Sequence, residues 1–240
     1  MAADALSELS VPGTLRAGIN LANRLLVTGT SPSGDPQGVA PDIAAAIAER
    51  LGVGLALVPF ATAGAVADAA EQDVWDIGLI AADPKRAETV AFCEAYVEIE
   101  ASYLVPPNSP LQSIEDVDRP GVRIALVDRA AYDLYLTRTL KRAELHRAPI
   151  HAEAFALFVD EKLDAMAGLA PALSEMAQQL PGARVLDGGY TAIRQAVCTK
   201  PKNATLQGFV DRFLAEAKAS GLVATLIERY GVQGKLKVAP

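Results

Sequence analysis

Short β-type runs alternate with amphipathic helical segments along nearly the whole chain. Residues 14–20 (TLRAGIN) predict a first strand. Residues 41–51 (PDIAAAIAERL) place Ile43, Ile47 and Leu51 on one helical face, with Gly52 as the stop. A second strand is expected over 55–60, a second helix over 63–72 and a third strand over 75–81 (WDIGLIA). Strands separated by helices predict right-handed βαβ units and a mainly parallel sheet.

The pattern then recurs. Residues 122–128 (VRIALVD) predict a strand and 131–142 a helix, followed by a short strand near Leu145. A helix over 152–163, a strand over 164–169 and a helix over 171–180 complete the second set. Two extended segments bracket it, 101–108 (ASYLVPPN) and 193–203 (IRQAVCTKPKN). After them the chain reads as helix from about Leu206 to Tyr230, broken at Gly221. The expected architecture is therefore α/β in two lobes. Residues 1–105 with 196–240 would form a discontinuous first lobe, and 106–195 an inserted second one. The two extended segments would cross as a hinge. Ligands of open parallel sheets bind at the carboxyl ends of strands, which makes the interlobe cleft the expected site.

Composition sharpens this picture by exclusion. The chain has 240 residues, 51% hydrophobic and 21% charged, the balance of a folded globular protein. A net charge of -7 argues against a nucleic-acid partner, because phosphate contacts need clustered Lys and Arg. The densest basic stretch, 138–147, reads as a solvated helix face and its exit. Cys93 and Cys198 lie in apolar strand-like runs and suit buried free thiols better than a disulfide framework or a metal site. No apolar run approaches the ~18 residues of a membrane span. The N-terminus lacks the basic and apolar regions of a signal peptide, which fits either a cytoplasmic chain or a mature exported one.

Three loops at predicted strand ends carry candidate chemistry. Asp83-Pro84-Lys85-Arg86 reads as a helix start with Asp at the N-cap, where backbone N–H groups and the Arg86 guanidinium could hold a carboxylate. Pairing of Arg86 with Glu88, Asp83 or Glu94 is the structural alternative. Asn20, Asn23 and Arg24 follow the first strand, and their amides suit either a small polar ligand or plain turns. Arg129, Ala130, Ala131 and Tyr132 open the helix after 122–128, where small side chains permit close approach. Catalytic signatures are missing: no nucleophile elbow, no phosphate-binding loop and no dinucleotide fingerprint. His146 and His151, with Pro149 between them, do not share a helical face as metal ligands and suit a strand-to-helix junction.

Several segments resemble, in order, the solute-binding proteins of polar amino-acid ABC importers. They are Gly13–Asn20, the run 37–44 (QGVAPDIA) with Leu51-Gly52, Trp75-Asp76-Ile77, and Asp83-Pro84-Lys85-Arg86-Ala87-Glu88. The runs 90–96 (VAFCEAY) and 131–136 (AYDLYL) extend the match. The resemblance implies a two-lobed periplasmic-binding-protein-like fold that closes on its ligand like a clamp. It assigns carboxylate binding to Arg86 and a capping role to Asp42. It also implies a periplasmic location, a membrane ABC permease as partner, no cofactor and a monomer. Three departures bear on the ligand. Ala81 and Ala82 replace hydroxyl residues, Ala130 and Ala131 stand where Ser or Thr is usual, and Leu169 occupies the place of an aspartate that pairs with an ammonium.

A buried ammonium without a carboxylate costs several kcal/mol. The expected ligand is therefore a small anionic solute with a carboxylate and no α-amino group, unless Glu175 or Asp187 supplies the charge. Two other functions stay open: a dehydratase of the cyclohexadienyl or arogenate type, with Glu175 as general acid, and a cytoplasmic solute sensor.

Overall fold

The computed structural model describes residues 2–240, with side chains from Asp4 onward. The chain divides into two compact units. Lobe 1 runs up to Glu98 and resumes over Arg194–Pro240, and lobe 2 is Ile99–Ile193. The strands Ala91–Val105 and Thr191–Thr199 each run through a boundary between the units.

The two lobes share one plan. In lobe 1 the strand Thr14–Asn20 lies between Gly54–Phe60 and Ile77–Ala81, all parallel, and residues 195–199 add an antiparallel strand beyond the third. In lobe 2 the strand Arg123–Val127 lies between Glu144–Ala148 and Ala165–Leu169, again parallel, and residues 101–104 add the antiparallel strand. Helices Val39–Leu51 and Ala63–Asp68 connect the first set. Ala131–Thr139 and His151–Asp160 connect the second.

Each sheet is locked at its amino end by an arginine and an aspartate. Asp76 Oδ2 accepts the backbone N–H of Arg16 at 2.9 Å and its Nε at 3.2 Å, while Asp76 N donates back to Arg16 O at 2.9 Å. Arg16 Nη1 reaches the carbonyl of Asp73 at 2.5 Å. In lobe 2, Asp164 Oδ2 accepts Arg123 N at 2.8 Å and Nε at 3.4 Å, Asp164 N donates to Arg123 O at 3.0 Å, and Arg123 Nη2 reaches Lys162 O at 2.7 Å. The carbonyl-bearing residues, Asp73 and Lys162, both sit in the left-handed region at φ 53° and 50°.

Trp75 anchors the lobe 1 core. It is fully buried with Val66, Ile80, Val90 and Cys198, and its Nε1 donates to Val66 O at 3.0 Å. Gly18 and Gly78 make room: a Cβ on Gly18 would stand 3.2 Å from the indole, and one on Gly78 3.0 Å from Cys198 Sγ. Both cysteines are buried free thiols, and burial pushes the Cys198 thiol up to about 12. No helix among the described residues is long and apolar enough to cross a membrane.

Several sequence expectations need correction. The helix expected over 63–72 is α-helical only to Asp68 and tightens to a 3-10 turn over Ala69–Gln72. The third strand starts at Ile77 because Trp75 and Asp76 are spent on the core and the lock. The helix expected to reach residue 142 stops at Thr139, because the Asp118 carboxylate captures the N–H groups of Lys141, Arg142 and Ala143. The extended run expected from residue 101 begins at Ala91. The C-terminal helical run, by contrast, breaks at Gly221 as expected, into Ala204–Ala219 and Leu222–Arg229, with Gly221 at φ 82°.

The basic stretch 138–147 is not wholly solvated: Arg147 pairs through Nη2 with buried Asp133 at 2.9 Å. Asp42 is not a cap. The N-cap is Gly38, where a Cβ would fall 2.2 Å from Leu26 O, and Asp42 instead accepts Tyr230 Oη at 2.8 Å and Arg229 Nη1 at 3.0 Å. It ties the first long helix to the last.

Candidate functional site

The lobe 1 candidates gather at one end of its sheet. Register aligns Ile19 with Leu79, which brings Asn20 and Ala81 to the same carboxyl-end edge. Beyond Ala81, Ala82 N donates to Arg194 O at 2.8 Å, and Asp83 Oδ1 accepts Lys85 N at 2.8 Å in a tight turn. The helix expected here is one 3-10 turn, Arg86–Glu88, so no helix N-terminus backs the site. What remains is the side chain of Arg86. It is 5% exposed and folds back so that Nη1 donates to Ala81 O at 2.8 Å. Two of the surface partners considered for it are engaged elsewhere: Glu88 with Lys85 at 2.6 Å and Glu94 with Lys218 at 3.3 Å.

The amide candidates act as turn residues. Asn20 Oδ1 accepts Ala22 N at 3.1 Å, and Asn23 Oδ1 accepts Leu25 N at 3.2 Å with the residue buried. Arg24 is exposed. A residue that the sequence reading missed is Gln195, buried and directly opposite Ala81 in the antiparallel register. The available signal was a glutamine between Ile193 and Val197 on one side of an alternating strand.

The lobe 2 candidates also collect at a carboxyl-end edge. Asp128 N donates to Ala148 O at 2.9 Å, and Leu169 ends the adjacent strand opposite Ala101. Arg129, exposed and left-handed at φ 56°, gives its N–H to Asp133 Oδ2 at 2.7 Å. That bond fixes the entry of the helix at Ala131, with Ala130 at the N-cap and both alanines half-buried. Tyr132 is buried, with Oη 3.5 Å from His151 Nε2, and burial raises its pKa. His151 thus belongs to the edge rather than to a free surface.

Behind these residues lies a tyrosine cluster that the sequence reading did not single out. Tyr190 N donates to Ala101 O at 3.0 Å, on the far side of the strand Ala91–Val105 from Leu169. Its ring packs against Tyr103 at 4.6 Å between centroids and stacks on Tyr135 at 5.9 Å. Tyr135 Oη donates to Tyr190 O at 3.2 Å. Tyr190 Oη is buried and finds no hydrogen-bond partner among the described residues, which costs about 1–3 kcal/mol. Burial first, then the neighbouring phenols, raises its pKa well above the ordinary value.

Glu175 and Asp187, the alternative sources of a ligand countercharge, are both exposed. Among the described residues no group of three or more His, Cys, Asp or Glu side chains is placed to hold a metal.

Two α/β lobes joined by two through-running strands, with candidate polar groups at strand ends, define a two-lobed solute-binding fold. The chain belongs to the bacterial extracellular solute-binding proteins, family 3, whose profile matches residues 23–233. Solved structures agree in fold. The ancestral amino acid-binding protein AncCDT-1, a precursor of cyclohexadienyl dehydratase, is 24% identical at a TM-score of 0.76, over 94% of this chain and 98% of that one. ArgBP from T. maritima is 21% identical at 0.77, over 95% and 100%. The cysteine-binding protein from Campylobacter jejuni is 20% identical at 0.76, over 94% and 92%. Comparison with curated protein sequences gave no match.

Proposed function

We propose that the protein is a non-catalytic, monomeric binder of a small carboxylate-bearing solute, working outside the cytoplasmic membrane and delivering its cargo to an ABC permease. The observation that carries this reading is Arg86, a guanidinium buried at a strand end and steadied by Ala81 O. A preoriented guanidinium meets a carboxylate with two parallel charge-assisted hydrogen bonds. Asn20, Asn23, Ala81, Ala82 and Gln195 would form the rest of the lobe 1 edge. Arg129, Ala130, Ala131, Tyr132 and Leu169 would form that of lobe 2.

Structural relatives named for arginine or cysteine binding make an amino acid the ordinary expectation. Leu169 and the two alanine pairs favour a solute without an α-amino group, because none of these side chains offers an ammonium a countercharge. Thermal-shift measurements with matched acids, with and without an amino group, test this. A solute at a hundred times its dissociation constant stabilises by ~2.7 kcal/mol, a rise of several degrees. Shifts confined to amino acids would overturn the amine-free reading, and loss of every shift in Arg86→Ala would support the carboxylate assignment.

The dehydratase alternative needs a general acid whose pKa is raised by burial. The exposure of Glu175 speaks against that role. Unchanged prephenate after prolonged incubation is the expected result, and its turnover would reverse the reading.

A further inference from the structure

Among the described residues, every buried polar or charged side chain holds a hydrogen bond except those of Thr199 and Gln195. Both lie on the strand Thr191–Thr199 and on the same face of it, at opposite ends of the lobe 1 sheet. Thr199 stands at the amino end opposite Ile77, and its Oγ1 is sealed from solvent. Gln195 stands at the carboxyl end opposite Ala81. The residue is 4% exposed, yet its amide atoms are not among those sealed from solvent. A buried amide that bonds no protein group and still opens outward is satisfied by what arrives from outside, water or solute.

The register sets this amide beside Arg86. Ala82 N donates to Arg194 O at 2.8 Å, so Ala81 and Gln195 form the closely spaced pair of the ladder, with both side chains on one face. Ile80 and Cys198 take the other face, packed with Trp75. The carbonyl of the same Ala81 holds the Arg86 guanidinium. We infer that Gln195 is the second carboxylate-holding residue of lobe 1, its Nε2–H donating to the solute carboxylate that Arg86 grips. The inference rests on the carboxylate-binding reading and deepens it, whether or not the solute carries an amino group. A carboxylate offers about four lone-pair sites, of which a bidentate guanidinium fills two. Ala81 and Ala82 bring no hydroxyl to the others, and the amide across the ladder brings a donor instead.

The test screens the common amino acids and the 2-oxo acids derived from them. Calorimetric affinities of those that bind are then measured at about pH 8 and about pH 5, a range in which each probe keeps its carboxylate ionised. The variants are Gln195→Met, which keeps the length and removes the amide, Gln195→Glu, which replaces the donor by a charge, Arg86→Ala, and Thr199→Val as control. Gln195→Met is expected to weaken every bound acid about tenfold at either pH. Gln195→Glu is expected to weaken them about 100-fold at the higher pH, where two carboxylates face each other. It should regain at least about tenfold at the lower pH, where the new carboxyl takes a proton and donates as the amide did. A merely structural glutamine would produce no such recovery. Wild-type affinities in Gln195→Met, equal affinities of Gln195→Glu at the two pH values, or an equal loss in Thr199→Val would each overturn the inference. If Arg86→Ala abolishes binding of all acids in the same experiment, the carboxylate reading survives that failure. Wild-type binding by Arg86→Ala, or silence of the wild-type chain toward every probe, overturns both.

Discussion

Lobe 1 and lobe 2 are two versions of one design, and they diverge at opposite ends for different reasons. At the amino ends the same arginine–aspartate lock recurs, down to a left-handed residue whose carbonyl takes the guanidinium. At the carboxyl ends nothing is shared: lobe 1 presents a buried arginine, lobe 2 presents alanines, a leucine and tyrosines. The lock serves the sheet, so its geometry repeats. Under the proposed function the carboxyl ends are the parts that would meet the solute, and their side chains differ accordingly.

Even the shared lock differs in depth. The Asp76 side chain is 0% exposed and Asp164 is 40% exposed. Lobe 1 also adds Lys200, buried and bonded to Asp73, and Ser10, whose N–H donates to Asp76 Oδ1 at 3.1 Å. Asp76→Ala is therefore expected to have the largest effect of all, because it removes a fully buried acceptor that serves the Arg16 guanidinium and the backbone N–H groups of Ser10 and Arg16. A loss of about 3–5 kcal/mol is expected, read from urea unfolding. A loss below 1 kcal/mol would mean that burial does not separate the two locks.

Binding should respond at one edge far more than at the other. Arg86→Ala is expected to weaken carboxylate binding at least ~100-fold, equivalent to about 2.7 kcal/mol. Arg129→Ala should shift it by less than about threefold, since Arg129 is exposed and its fixed contribution is a backbone N–H. Equal losses in the two variants would erase the distinction between the edges.

Acid should act on the buried lock of lobe 1. Burial alone would raise the Asp76 pKa, but hydrogen bonds from the Arg16 guanidinium and from the Arg16 and Ser10 backbones outweigh it, and the pKa falls below 3.8. A depressed carboxylate stabilises the fold above its unfolded pKa and loses that contribution as pH falls through the folded value. Wild-type stability should thus decline below about pH 4, and the Asp76→Ala chain should show a shallower decline there. Parallel pH profiles for the two chains would contradict this.

A smaller change should shift preference rather than strength. Leu169→Asp places a carboxylate on the lobe 2 edge, and the ratio of amino-acid to amine-free-acid affinity is expected to rise about tenfold. No change in the ratio would place the ammonium subsite somewhere other than Leu169.

The sequence carried the plan of the fold because alternation, helical spacing and glycine stops are local. Thr14–Asn20 and the stop at Gly52 stand where their residues predict them. The misreadings came from long-range partners. Asp118 ends a helix from more than twenty positions away, and Asp42 is claimed by Tyr230 near the other end of the chain. The candidate site was legible where one residue type suggests the chemistry, as at Arg86, which stands buried at a strand end. It was illegible at Gln195 and Tyr190, whose meaning depends on burial and on what lies across a strand.

The smallest expected effect completes the comparison of the locks. Asp164 shares with Asp76 the bonds to the arginine backbone N–H and Nε but stands in partial contact with water, which solvates Arg123 when the carboxylate is removed. Asp164→Ala should therefore cost no more than about 0.5–1 kcal/mol, several-fold less than the equivalent change in lobe 1. The experiment reads the depth of the lock, because Asp76 is buried and its Oδ1 also takes Arg16 Nη2 and Ser10 N, whereas Asp164 is part-exposed. If Asp164→Ala unfolds lobe 2 as readily as Asp76→Ala unfolds lobe 1, the backbone hydrogen bonds common to both locks carry the stability, and the depth of the ion pair adds little.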